Sequence, residues 1–263
     1  MAMITAYFDA SGQPEDTSVV SLSGLVSTAE KWLVFDQHWQ ECLDAFGVSA
    51  FHMRDFAHSL REFSSWRNDE PKRRRFLSGL INVIESHVDY VAASSVSMTD
   101  YRAVNDKYYL QEFMKPYTLN ASTCAGSIIH WAREKEHSEN DIAYVFEWGD
   151  TDQSDVARCW DQRFPKNRIT PIFLRKTDIP PGSQKAVKIR PFEAADLIAY
   201  ENFRALIAIE DLNRQIQFEE LRKPMQRLYG LPGAKEWRSS DATSIENTCL
   251  LYKVPLRPVT PTS

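Results

Sequence analysis

The chain has 263 residues, 43% of them hydrophobic, enough for one large domain with a substantial core. Its formal net charge of −5 excludes a general polyanion-binding surface, so contact with nucleic acid needs a local basic patch or bound cations. Cys42, Cys124, Cys159 and Cys249 form no C-x-x-C pair and no stretch nears the ~20 apolar residues of a membrane span, so a cytoplasmic protein with reduced thiols and no membrane partner is expected.

Residues 3–9 read as a strand ending at Asp9, stopped by the turn chemistry of Ser11-Gly12-Gln13-Pro14. Thr17 to Val26 reads as a second strand, antiparallel to the first. A helix starts at Thr28, repeats Trp32, Phe35, Trp39, Leu43 and Phe46 at helical spacing, and stops at Gly47. Ala50 to Met53 reads as a third, short strand, and Arg54 to Asn68 as a loop with one helical turn. Asp69 then caps a helix to about Ser86 whose inner face is Phe76, Leu77, Leu80, Ile81 and Ile84. Lys72, Arg73, Arg74 and Arg75 stand in its first turns, the end where the macrodipole disfavours cations; a solvated face and a phosphate-binding patch both account for them.

Asp89 to Met98 is another strand, and Tyr108 to Glu136 a long helical region that Pro116 would kink. A strand at Ile142 to Trp148, a helix from Asp152 to Arg163 and a strand at Thr170 to Leu174 follow. A turn at Pro180-Pro181-Gly182 leads to a helix opened by Pro191. Beyond Ile209 the pattern weakens to a helix around Phe218 to Leu228 and an aromatic, proline-containing tail. Strands and helices alternate after an initial run of strands, which predicts an α/β fold around one mixed sheet.

The helix after Pro191 places Asp196 on its apolar face, between Phe192, Ala199 and Phe203 at ~100° per residue. A lone buried carboxylate costs several kcal/mol, so Asp196 must be protonated, paired or facing a cation. Asp9 ends the first strand and Glu147 a later one, and strand ends along one sheet edge are where ligands bind in such folds. If the two strands are neighbours, three carboxylates converge; a positive partner is then required, and hard oxygen donors suit Mg²⁺ or Mn²⁺. Taken singly, a strand-terminal acid is more often a cap or a turn former than a ligand. Glu193 is one turn from Asp196 and within reach of the same ion, whereas Glu201 is off that face and expected in solvent. His52 and Asp55 are either a proton carrier with the group that fixes its tautomer, or a packed imidazole and a turn cap. Neither a G-x-S-x-G around Ser11 nor a glycine-rich phosphate loop is present, which argues against serine-hydrolase and kinase-type chemistry.

The segments Tyr7-Phe8-Asp9-Ala10-Ser11-Gly12, Phe51-His52-Met53-Arg54-Asp55-Phe56, Phe146-Glu147-Trp148-Gly149-Asp150 and Glu193-Ala194-Ala195-Asp196-Leu197-Ile198-Ala199 resemble, in order, the landmarks of the DUF3800 family. They span roughly residues 4–205, and that family resembles the ribonuclease H-like superfamily. The resemblance implies a central five-stranded mixed sheet, its first three strands antiparallel, flanked by helices, in a domain of residues 1–210. Residues 211–263 would then be a helical C-terminal extension packed on it. It further implies a metal-dependent nuclease with Asp9, Glu147 and Asp196 as catalytic ligands of Mg²⁺ or Mn²⁺, and with Asp150 as a fourth ligand or the holder of a bound water. The family commonly has Glu where Ala10 stands here; a strand neighbour points to the opposite face, so Asp9 is expected to keep its role. Lys72, Arg73, Arg74, Arg75, Arg175 and Lys176 are candidates for the nucleic-acid backbone, Trp66 and Trp148 for stacking on bases, and Trp237, Leu250, Leu251 and Tyr252 for a homodimer surface. The alternative is a non-catalytic interaction protein that keeps the fold.

Overall fold

The structure, a computed structural model, describes residues 3–149, 152–163, 170–178, 187–212, 223–229 and 235–258. Strands β1 (Ile4–Ser11) and β2 (Val19–Thr28) pair antiparallel, from Ile4 opposite Thr28 to Ser11 opposite Ser21. β3 (Tyr90–Ser97) continues antiparallel on β2. On the far side of β1, β4 (Ile142–Glu147) pairs parallel with it and β5 (Pro171–Leu174) parallel with β4. The two-residue strands β6 (Thr177–Asp178) and β7 (Val187–Lys188) form a separate antiparallel pair. β8 (Lys235–Ser240) joins the main sheet parallel to β3, giving the order β5-β4-β1-β2-β3-β8.

Among the described residues the fold is therefore α/β around a mixed sheet of six strands, where the resemblance implies five. The additional strand comes from the tail expected to be helical, which contributes β8 before its helix. The short strand expected at Ala50 to Met53 does not form.

Both faces of the sheet are covered, which is why β2 and β3 are almost continuously buried instead of alternating. On one face lie α4 (Met98–Lys107), the short α5 (Leu110–Phe113), α6 (Pro116–Glu134), α7 (Gln153–Arg163) and α10 (Ala242–Leu251). Phe8 and Phe146 stack there with ring centroids 4.5 Å apart, against Trp160. Pro116 opens α6 at its first turn instead of kinking a longer helix, a position where its missing N–H costs nothing.

The other face carries α1 (Ala29–Phe46), α2 (Met53–His58), α3 (Glu70–His87) and α8 (Arg190–Leu212), with α9 (Lys223–Tyr229) against α3. Thr28 and Asp69 cap α1 and α3 through the amides of Lys31 and Lys72, and Gly47 closes α1 in the left-handed region. An aromatic cluster of Phe51, Phe56, Phe63, Trp66 and Phe76 fills the space beside them. Trp66, a sequence candidate for stacking on a base, is buried in that cluster.

β1 and β2 approach so closely that a Cβ at Gly24 would stand 2.2 Å from the ring of Phe8, which is itself buried against Phe146. Gly24→Ala is expected to destabilise the fold by about 1–3 kcal/mol, read as a lower urea midpoint with an unchanged slope.

Candidate functional site

Asp9 and Glu147 stand side by side because β1 and β4 run parallel in register, Phe8 opposite Phe146. Asp9 is buried, and α8 packs on β1 so that Asp196, also buried, interacts electrostatically with it. The three acids predicted to converge are thus brought together from β1, β4 and α8. Ala10 packs toward the opposite core, so the residue at this position does not bear on the Asp9 face.

At the centre of the three acids is Lys176, just past the end of β5. Its Nζ lies 3.0 Å from Asp9 Oδ2 and 2.9 Å from Glu147 Oε2. Burial works against this ammonium, but Asp9, Asp196 and Glu147 outweigh burial and raise its pKa. Lys176, a sequence candidate for the nucleic-acid backbone, is therefore the counter-ion of the three acids in this structure. The contact to Asp9 is an ion pair without hydrogen-bond geometry, and Asp9 Oδ2 is a fully buried oxygen with no hydrogen bond. The other oxygen of Asp9 accepts the Ala10 amide at 2.8 Å.

One ammonium does not balance three carboxylates. Burial, and then the charge of Asp9, push the Glu147 carboxyl up to about 8 against the pull of Lys176. The same causes, in the same order, push Asp196 up to about 7, although its Oδ2 accepts the Met53 amide at 2.7 Å. His52 Nε2 lies 3.9 Å from Asp196 Oδ2, and its Nδ1 3.6 Å from Asp55 Oδ2. Burial and the neighbouring Lys176 lower the pKa of this half-exposed imidazole, which is neutral at pH 7. Asp55 also faces Arg61 Nε at 3.4 Å.

Glu193 points elsewhere. One oxygen pairs with Arg190 Nη1 at 2.5 Å; the other accepts Trp39 Nε1 at 2.8 Å and the Phe51 amide at 3.0 Å. All its neighbours are buried, so Glu193 holds the fold together and does not face Lys176. Glu201, expected in solvent, is buried as well. These contacts also explain the missing strand: the amides of Phe51 and Met53 go to Glu193 and Asp196, and the Ser49 carbonyl accepts from Lys188 and Arg190, so no ladder remains to be made. Arg190 has a sequence signal, a cation three residues before Glu193, but apolar periodicity does not identify its partner.

The basic run is divided. Lys72 lies over the Trp66 ring, Arg73 binds the Phe56 carbonyl, Arg74 pairs with Glu70, and Arg75 is exposed, as is Arg175. Trp148 is exposed beside Phe173, and Leu250 and Leu251 are exposed on α10. Asp150 lies outside the described residues. Among the described residues, no three carboxylate, imidazole or thiol groups form a finished metal-ligand set. The donor chemistry nevertheless fits a hard divalent cation: Asp9 and Glu147 aim oxygens at one cation position, one of those oxygens is buried without a hydrogen bond, and a divalent ion in place of the single ammonium would favour the ionised forms of all three acids. Among the described residues no helix is long and apolar enough to cross a membrane.

In the absence of divalent ions the folded protein keeps protons on Glu147 and Asp196 that the unfolded chain, at its ordinary 4.5 and 3.8, has released. Stability is therefore expected to fall as pH rises from about 4 to about 8, and Asp196→Asn to flatten that dependence, measured as urea midpoints against pH. Arg190→Ala leaves Glu193 buried without its cation and is expected to cost about 3–5 kcal/mol in the same measurement. Compared with known proteins, the chain matches no family model and no curated entry.

Proposed function

We propose that the chain is a nuclease of the ribonuclease H-like, DUF3800 type, hydrolysing phosphodiester bonds in nucleic acid with Mg²⁺ or Mn²⁺. The observation that carries this reading is the convergence of Asp9, Glu147 and Asp196, from three separate elements, around a single cation position at the carboxyl edge of a parallel strand pair. The antiparallel β1, β2 and β3 with β4 and β5 parallel beyond β1 agree with the sheet that the resemblance implies, apart from the sixth strand. Asp9, Glu147 and Asp196 are the residues to hold the ion. Bound there, Mg²⁺ or Mn²⁺ supplies Lewis-acid activation of water and neutralises charge on the phosphodiester.

The chain's own groups prepare that chemistry. Lys176 holds the acids together in the metal-free protein. The Met53 amide fixes the orientation of Asp196, and the neutral imidazole of His52, between Asp196 and Asp55, can take up or release a proton at the edge of the centre. None of the four cysteines is in a disulfide, which accords with a reducing, cytoplasmic setting.

One observation favours a second reading. Lys176 already compensates two of the acids, as it would in an interaction protein whose acidic cleft is structural. Cleavage of labelled single- and double-stranded DNA and RNA, with Mn²⁺ binding followed by calorimetry, separates the two. For the nuclease, Asp9→Asn, Glu147→Gln and Asp196→Asn each lower cleavage by about 10²–10³-fold, the size of a lost electrostatic contact to the reacting groups. Absence of both ion binding and cleavage in the wild type leaves the structural reading.

A further inference from the structure

α2 links the acidic centre to a second feature. Its first amide, at Met53, donates to Asp196, while the carbonyl of Phe56 near its other end accepts from Arg73 Nη2 at 2.8 Å. Both contacts are made by this one six-residue helix, which is itself ~9 Å long. Beyond Arg73, a cavity of about 610 Å³ opens between α3 and α9.

The floor of the cavity is apolar and solid: Phe56, Leu77 and Ile81 are buried. Its rim is basic, with Arg73 and Arg74 from α3 and Lys223 and Arg227 from α9. Glu70, which also lines the cavity, pairs with Arg74, and Glu85 with Arg227, so among the described residues four cations face two carboxylates and positive charge is left over. Arg73 is fixed in place: it also donates to Ser59 Oγ at 3.0 Å and lies 4.3 Å from the centre of the Phe56 ring. Its guanidinium is positioned before any ligand arrives.

This volume is that of a small-ligand site, and an apolar floor under a guanidinium rim is complementary to a flat apolar ring carrying an anionic group. We propose that the cavity binds one nucleotide unit, its base on the floor formed by Phe56, Leu77 and Ile81 and its phosphate at Arg74 and Lys223. Resting on the nuclease reading, that unit belongs to the strand whose phosphodiester lies at Asp9, Glu147 and Asp196. A cavity of this size takes one nucleotide and not a base pair, so the unit bound there is unpaired.

The test is calorimetric titration with adenosine 5′-monophosphate in the absence of divalent ions, beside adenosine and inorganic phosphate as separate titrants. The monophosphate is expected to bind at least about tenfold more tightly than either fragment. Ser78→Trp, at an exposed position lining the cavity, and Arg74→Glu are each expected to weaken it about tenfold or more. Arg75→Glu makes the same charge change on the same helix outside the cavity, and is expected to shift binding less than about threefold, as is Asp196→Asn. No binding to the wild type, or equal losses in Arg74→Glu and Arg75→Glu, overturns the site. Binding that Ser78→Trp abolishes, in a chain that cuts no strand, supports the cavity and overturns the nuclease reading. Cleavage by a chain that does not bind the monophosphate overturns the cavity alone.

Discussion

The backbone of residues 49–53 is held by side chains that come from α8 and the strand just before it, and most of the chemistry of the molecule depends on that arrangement. Ser49 accepts from Lys188 and Arg190, Phe51 donates to Glu193, and Met53 donates to Asp196. A buried backbone group without a partner costs as much as a lost hydrogen bond, so these charged side chains satisfy a segment that no strand reaches. The segment in turn carries Phe51 into the aromatic cluster, starts α2 and sets His52 beside Asp196.

Two acids of α8 are treated differently. Glu193 has a full-charge partner in Arg190 and two further donors, so its burial leaves no unmet demand. Asp196 has one amide and shares a single ammonium with Asp9 and Glu147. The first arrangement is complete within the protein. The second is short of positive charge, and sites arranged in this way are characteristic of binding and catalysis more than of stability.

Much of this is visible in the sequence. Asp196 interrupts an apolar helix face, and Asp9 and Glu147 end strands, so their convergence follows once the strands are taken as neighbours. Hydrophobic periodicity says which face is buried, not what it is buried against. For that reason Glu193 could be placed near the ion but not recognised as the partner of Arg190 and Trp39. The role of Lys176 was hidden for the same reason, since its distance to Asp9 depends on β5 lying beside β4. Ala50 to Met53 has strand-like residues, yet tertiary hydrogen bonds override local preference there. Local pattern does not mark β8, because Lys235–Ser240 is short and largely polar, an edge strand whose membership is decided by the open edge of β3.

That edge position has a consequence for how the protein is made. β3 ends at Ser97 and its outer neighbour begins only at Lys235, so during synthesis the outer backbone groups of β3 emerge long before the strand that pairs with them. Until then the growing chain presents a row of unpaired amides and carbonyls next to β2, the kind of template on which nascent chains associate. The β3–β8 pairing thus forms only after residues 98–234 have been made, and β8 then takes up the groups of β3 that would otherwise pair with another copy.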